Sequence, residues 1–252
     1  MAPKDFRTLS DRRRERAQAL DERYPASRQA LEFCASLASF QERIFARTEE
    51  RAALPLLLPA VLEWIGESGT QRMREAALEL DQAAFRKALD DYWERRDTSS
   101  LPSFFARAVL QPYAWAADLS TSTQSQLRNP EPQPEICPRC NHLPQAGVLR
   151  PQGHGRALSL LCSLCLHEWP FGRGRCPACG EEPKRDRSYY STEDLPHIQL
   201  QACESCRSYL HLIDLSKEES AVPEVDELAA LPLDVWAREK GYLKLQLNLA
   251  GI

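Results

Sequence analysis

Apolar residues in the first half of the chain recur at helical intervals. From Ser27, a good N-cap, they fall at Leu31, Cys34, Leu37, Phe40, Ile44 and Phe45, a single stripe on a 3.6-residue repeat. Leu56 to Ile65 predicts a short apolar helix that stops near Gly66. Thr70 opens a third helix through Met73, Ala77 and Leu80, and Asp81 caps a fourth with Phe85, Leu89 and Trp93 on one face. A fifth runs from Pro102 to Leu119, with a kink expected at Pro112. The pattern then changes. Leu119 to Ile136 is rich in Ser, Thr, Gln and Pro, offers little to bury, and reads as a linker. Beyond it, strand-like apolar runs appear at Ala157 to Cys162, His197 to Cys203 and Leu210 to Leu215. One last helix is expected over Glu224 to Lys240, with Leu228, Leu231 and Val235 or Trp236 inward and a stop at Gly241.

The strand-like part carries the chemistry. Of 9 cysteines, Cys34 alone precedes residue 137. Its place on an apolar stripe makes it a small core residue. The other eight form four C-x-x-C pairs: Cys137/Cys140, Cys162/Cys165, Cys176/Cys179 and Cys203/Cys206. The gaps between pairs are 21, 10 and 23 residues, which is long, short, long. That order suggests two units of C-x2-C, a spacer of about 20 residues, and C-x2-C, the usual four-cysteine metal spacing. The knuckles also alternate in type. CPRCN and CPACG have Pro inside and Asn141 or Gly180 after, residues that tolerate a left-handed backbone, whereas LCSLCL and ACESCR are followed by Leu166 and Arg207. An aromatic residue follows each second knuckle, at Trp169 and Tyr209, so the whole unit repeats after 39 to 41 residues. Modules this small cannot fold on apolar burial alone, and a tetrathiolate ion, with apparent binding of roughly 10–16 kcal/mol for zinc, supplies the missing stability. Tetrahedral sulfur suits zinc and iron alike. His142 and His167, beside knuckles, are not needed as ligands and read as partly exposed.

The expected architecture is multi-domain α+β: an α-helical domain over 1–118, a linker over 119–136, rubredoxin-like or zinc-ribbon-like modules over 137–175 and 176–216, and a C-terminal helix and tail over 217–252. Within the first module, His154 to Arg156, beside Gly153 and Gly155, read as a mobile loop between two strands.

Composition narrows the function classes. With 43% apolar and 27% charged residues the chain is an ordinary folded protein. The longest apolar candidate for a membrane span, Leu54 to Ile65, is too short and is broken by Pro55, Pro59 and Glu63. Met1 to Ser10 lack the apolar core of an export signal, so a cytoplasmic location is expected, where thiols stay reduced unless a metal claims them. Arg12, Arg13, Arg14 and Arg16, interleaved with Asp11 and Glu15, read as a solvated helix face rather than a docking site for an acidic partner. No P-loop, G-x-G-x-x-G, H-E-x-x-H or nucleophile elbow occurs, and two closed four-ligand sites argue against metal catalysis. The chain is not expected to be an enzyme.

The helical first part followed by CPRCNHLP, LCSLCLHEW, CPACG and ACESCRSYL resembles the formate dehydrogenase accessory protein family, FdhE. DELAALPLDVWAREKGY is similar to that family's closing helix, although a somewhat longer tail than NLAGI would be expected. The resemblance implies a cytoplasmic assembly factor that binds the catalytic subunit of formate dehydrogenase before export. It also implies two metal ions, with iron favoured and zinc the alternative. By carry-over Cys137, Cys140, Cys162 and Cys165 would hold one ion, and Cys176, Cys179, Cys203 and Cys206 the other. A second reading is rubredoxin-type electron transfer or redox sensing. A third is a zinc-ribbon nucleic-acid binder using Arg173, Arg175, Lys184, Arg185 and Arg187 near Tyr189 and Tyr190. The net charge of −4, made more negative by two tetrathiolate sites, argues against it. Oligomeric state is left open.

Overall fold

The computed structural model describes residues 5–117, 135–182 and 187–251. Most of the expected linker, with Lys184 and Arg185, lies outside the described residues. Six α-helices fill the first part: α1 (Phe6–Arg23), α2 (Arg28–Ile44), α3 (Leu58–Ser68), α4 (Gln71–Leu78), α5 (Gln82–Trp93) and α6 (Leu101–Ala116). Their starts follow the polar punctuation of the sequence. Asp5 accepts from Thr8 N at 2.7 Å, Asp81 from Ala84 N at 2.7 Å and Thr70 from Met73 N at 3.3 Å. Helix α3 runs past Gly66 and ends at Gly69, whose N–H reaches Ile65 O at 2.8 Å. The helices close over Trp64, which stacks on Phe40 at 4.5 Å and Phe33 at 5.3 Å between ring centroids. Cys34 lies in this core, where burial pushes its thiol up to about 12.

The second part is one sheet rather than two separate ribbons. Its strands are β1 (Pro144–Gln152), β2 (Gly155–Cys162), β3 (Glu168–Pro170), β4 (Arg187–Tyr190), β5 (Ile198–Cys203), β6 (Ser208–Asp214) and the short β7 (Leu243–Lys244). The order is β3-β2-β1-β6-β5-β4, with β7 beside the start of β6. Each module is an antiparallel trio, β1-β2-β3 or β4-β5-β6. The trios join head to tail through a parallel pairing of β1 with β6, Ala146 opposite His211 through Leu149 opposite Asp214. Gly147 permits this seam, because a Cβ there would run into Leu212 Cδ2 and crowd Leu158 Cδ1 at 3.1 Å. Strands β1 and β6 each leave a cysteine knuckle and run parallel in register, so both knuckle pairs lie at the same end of the sheet. The expected loop at His154 is the tight turn of the β1–β2 hairpin, with Gly153 at φ +55°.

The closing segment departs from the single helix expected. It forms α7 (Pro223–Ala229) and α8 (Leu231–Glu239), separated at Ala230. Pro232 sits in the first turn of α8, where its missing N–H is tolerated, but it could not continue α7. Val235 is exposed, while Leu228 and Leu233 point inward. Helix α7 is buried among α1, α2, β1 and β6 and so ties the helical part to the sheet.

That packing corrects the reading of the arginine cluster. Arg13 and Arg16 are 1% and 7% exposed, not solvated. Arg13 donates to Glu224 Oε1 at 3.1 Å and to Gln41 Oε1 at 3.0 Å. Arg16 donates to Asp226 Oδ2 at 2.9 Å and to Ser220 Oγ at 2.9 Å. Asp226 also meets His197 Nε2 at 2.9 Å and accepts from Val222 N at 2.7 Å. Arg14 does lie near the surface, paired with Glu42 and Asp11. Buried charges persist when each is paired and hydrogen-bonded, as these are.

Candidate metal centres

Each knuckle is a tight turn that aims two sulfurs at one point. Asn141 N donates to Cys137 O at 2.9 Å, Gly180 N to Cys176 O at 3.0 Å and Arg207 N to Cys203 O at 2.9 Å. The residue after every second cysteine is left-handed: Asn141 at φ 60°, Leu166 at 57°, Gly180 at 72° and Arg207 at 58°. The alternation of residue types is therefore not an alternation of conformation. Leu166 and Arg207 adopt a backbone that costs a non-glycine residue about 1–2 kcal/mol. The turns are held closed from outside as well, by Cys137 N on His142 O, Cys162 N on His167 O and Cys176 N on Glu181 O, each at 2.9 Å.

The four turns meet in pairs, as the spacing suggested. Cys137, Cys140, Cys162 and Cys165 form one cluster and Cys176, Cys179, Cys203 and Cys206 the other, with all sulfurs of a cluster within 4.8 Å of one another. Across the first cluster the Sγ–Sγ distances are 3.5 Å (Cys137 to Cys165) and 3.3 Å (Cys140 to Cys162). Across the second they are 3.8 Å (Cys176 to Cys206) and 4.0 Å (Cys179 to Cys203). A tetrahedral ion with metal–sulfur bonds near 2.3 Å requires about 3.8 Å between sulfurs. Both donor sets thus fit a tetrathiolate ion, and either cluster is able to hold one.

Protonation sharpens the case. Hydrogen bonds from Cys140, Cys162 and Cys165 hold the Cys137 thiol far below its ordinary value, while burial drives Cys140 and Cys162 well above theirs. Burial likewise raises Cys176 and Cys179. Four sulfurs this close cannot all ionise without a cation among them, and a divalent ion removes the conflict. Backbone donors already face two of the sulfurs, Leu164 N on Cys162 Sγ at 3.3 Å and Ala178 N on Cys176 Sγ at 3.4 Å.

The surroundings of the two clusters differ. The first is built into the joint between helices and sheet. Cys137, Cys162 and Cys165 belong to the main apolar core. Ser163 O, inside the second knuckle, accepts from Arg107 Nε at 3.2 Å and Gln111 Nε2 at 3.1 Å, both on α6. His142, expected at the surface, is buried, because its ring stacks on Tyr92 of α5 and its nitrogens lie 3.0 Å from Tyr92 O and Cys140 O. Burial lowers its pKa. His167 is half-buried beside Trp169. The second cluster faces outward, with Cys179 exposed and Cys206 half-buried. Its rim carries Arg175 paired with Glu135 at 2.7 Å and Arg207 lying 3.7 Å over the Tyr242 ring. Arg187 is turned inward, donating to Glu181 O at 3.1 Å. Arg175, Arg187 and Arg207 are thus each engaged within the chain.

Sequence reasoning missed a buried polar group under the second module. Asp234 accepts from Tyr209 OH at 2.8 Å and Lys244 Nζ at 3.0 Å. Glu227 accepts from Gln145 Nε2 at 3.0 Å, and burial pushes its carboxyl up to about 7. Next to them His211 is fully buried, and burial lowers its imidazole to about 4. Only the unusual density of acids in DELAALPLD could have hinted at it. Among the described residues no helix is long and apolar enough to cross a membrane.

Comparison with known proteins agrees with this architecture. Residues 175–250 match the family described as FdhE, C-terminal domain. A protein FdhE homolog of Aquifex aeolicus is 29% identical over 197 residues, covering 76% of this chain and 68% of the relative. Another, from Pseudomonas putida, is 36% identical over 152 residues, covering 58% of this chain and 46% of the relative. The chain thus spans between about half and two-thirds of the length of these relatives. The crystal structure of the FdhE protein from Pseudomonas aeruginosa superposes with a TM-score of 0.71 at 22% identity, over 97% of this chain and 96% of that one, and so shares its fold.

Proposed function

On the premise that this chain belongs to the FdhE family, we propose that it is a formate dehydrogenase accessory protein that binds the enzyme's catalytic subunit in the cytoplasm, before export. In this reading it assists assembly and performs no turnover. Cys137, Cys140, Cys162 and Cys165 hold one metal ion and Cys176, Cys179, Cys203 and Cys206 a second, with iron favoured and zinc the alternative. The observation that carries the reading is the pair of four-sulfur clusters at one end of a single sheet. Four protein ligands leave no open coordination position for a substrate, so the ions act by organising the surface around them. When bound, each supplies tetrahedral cross-linking and a local charge of −2 for a divalent ion. The chain's own part is to aim the sulfurs, through the four left-handed knuckle turns, and to hold the sheet against the helices through α7.

The test is anaerobic capture of the tagged protein from its own cells, with co-purifying proteins identified by mass spectrometry. Wild type should bring down a formate dehydrogenase catalytic subunit, and Cys137→Ser and Cys203→Ser should lose it. Capture that persists with both metals absent would sink the metal-organised version.

Exposure of Cys179 favours a second reading, rubredoxin-type electron transfer, since a carrier needs a ligand edge near its partner. It requires iron that cycles reversibly between two oxidation states. Zinc in the protein as isolated from its own cells would end that reading, because zinc has no redox chemistry.

A further inference from the structure

The two clusters have the same ligands in the same geometry, yet the chain encloses them differently. Around the first, three cysteines are at most 1% exposed and Cys140 is half-buried, with no sulfur ligand at the open surface. Its knuckles are gripped by α5 through His142 and Tyr92 O, and by α6 through Arg107 and Gln111 on Ser163 O. Arg107 extends the grip to the tail, donating to Leu247 O at 2.7 Å and Asn248 O at 2.9 Å. An incoming ligand reaches the sulfurs of Cys137, Cys162 and Cys165 only after the helix–sheet interface has opened, a change close to global unfolding.

Around the second cluster, Cys179 stands at the surface and Cys206 is half-buried. The loop leading to its first knuckle carries Gly172 and Gly174, where an added Cβ would meet nothing within 4 Å. The fourth knuckle is fastened from the surface and not by the helical core, through an Arg207–Glu204 pair at 2.7 Å with side chains 41% and 37% exposed, Tyr242 OH on Glu204 Oε1 at 2.6 Å and Leu243 N on Arg207 O at 2.8 Å. A donor atom can therefore approach the ion along the Cys179–Cys206 side while the rest of the fold stands.

We infer that the second cluster is an exchange site, which takes up and yields a thiophilic divalent ion while the chain stays folded, whereas the first is a permanent fastener of the fold. Each sulfur leaving the ion is replaced by a donor atom of the incoming ligand, and the freed thiolate takes a proton from water. No oxidation state changes. Occupancy of the second cluster is then the variable that the surface around Cys179, Cys206, Arg207 and Tyr242 can present to a partner. This inference rests on the reading of the eight cysteines as ligands, so the first measurement tests that reading by itself.

The full chain is loaded with zinc and its metal content measured. Two ions per chain are expected, and fewer would defeat the ligand reading and the inference with it. Excess 4-(2-pyridylazo)resorcinol is then added, and release is followed by absorbance while circular dichroism reports folding. Release should be biphasic with equal amplitudes, the first phase at least about tenfold faster and without loss of helical signal. The slow phase should track that loss. Iodoacetamide added after the fast phase should label Cys176, Cys179, Cys203 and Cys206 and spare Cys137, Cys140, Cys162 and Cys165. Cys179→Ser should retain the slow phase and lack the fast one. Should that variant fail to fold, the labelling order in the wild type decides alone. Both ions leaving in one phase, or early labelling of the first four cysteines, would overturn the inference.

Discussion

Arg13 and Arg16 carry two charges into the interior, and the acids that receive them stand 211 and 210 residues along the chain. Removing Arg16 leaves Asp226 buried with only His197 Nε2 and Val222 N beside it, and losing a hydrogen bond to a charged group of that kind costs about 1.5–3 kcal/mol. Arg16→Met should therefore lower urea stability by roughly that amount, and Arg16→Met with Asp226→Asn by less than the sum of the two single changes. Simple additivity would mean that the two do not interact. Glu227 and His211 carry opposite signs of pH dependence. The raised Glu227 binds its proton more tightly when folded, so its contribution falls as pH rises from 4.5 toward 7. The depressed His211 must take up a proton on unfolding below 6.5, so its contribution rises with pH from about 4 to 6.5. Over the shared range the two slopes oppose each other. Glu227→Gln should unmask the rising limb, with the thermal midpoint climbing between pH 5 and 6.5 more steeply than in wild type. An unchanged profile would show that Glu227 is ionised in the fold throughout.

Elements set by local pattern were legible, and those set by distant partners were not. The stripe from Leu31 to Ile44, the caps at Thr70 and Asp81, and the strands feeding Cys162 and Cys203 appear in the structure because each signal lies within a few residues of its effect. The four sulfur pairs were legible for the same reason, since a knuckle is a local turn. The burial of Arg13, Arg16 and His142 depends on α7, α5 and α6, and no local pattern encodes those neighbours. Nor did periodicity show that β1 would pair with β6. That seam makes its own prediction at Gly147, where Gly147→Ala pushes a methyl group into Leu212 and Leu158 and should cost about 1–3 kcal/mol. Gly66 is the opposite case. It lies within α3 with open space where a Cβ would stand, so Gly66→Ala should raise stability by about 0.5–1 kcal/mol. Denaturant titration of both variants checks the sign as well as the size, and equal effects would mean that the seam can yield.

At the scale of the whole molecule the helical part and the sheet share one core. A single apolar cluster runs from Ala17 and Leu20 on α1 through Trp64 and Phe105 to Leu160, Cys162, Leu200 and Leu228. Helix α7 lies at its centre, with buried acids that face α1 on one side and Gln145 of the sheet on the other. Neither part can open without exposing the other's apolar surface and leaving charges such as Arg13 or Glu224 without a partner. Cooperativity of unfolding should follow this shared core rather than the division into helices and metal modules. With both ions bound, the helical signal at 222 nm and the hydrogen-exchange protection of backbone amides in β1, β5 and β6 should be lost in urea with the same midpoint. Two separated transitions would mean that α7 adheres to one part and slides off the other, and that the buried pairs at Arg13 and Arg16 do not couple the two.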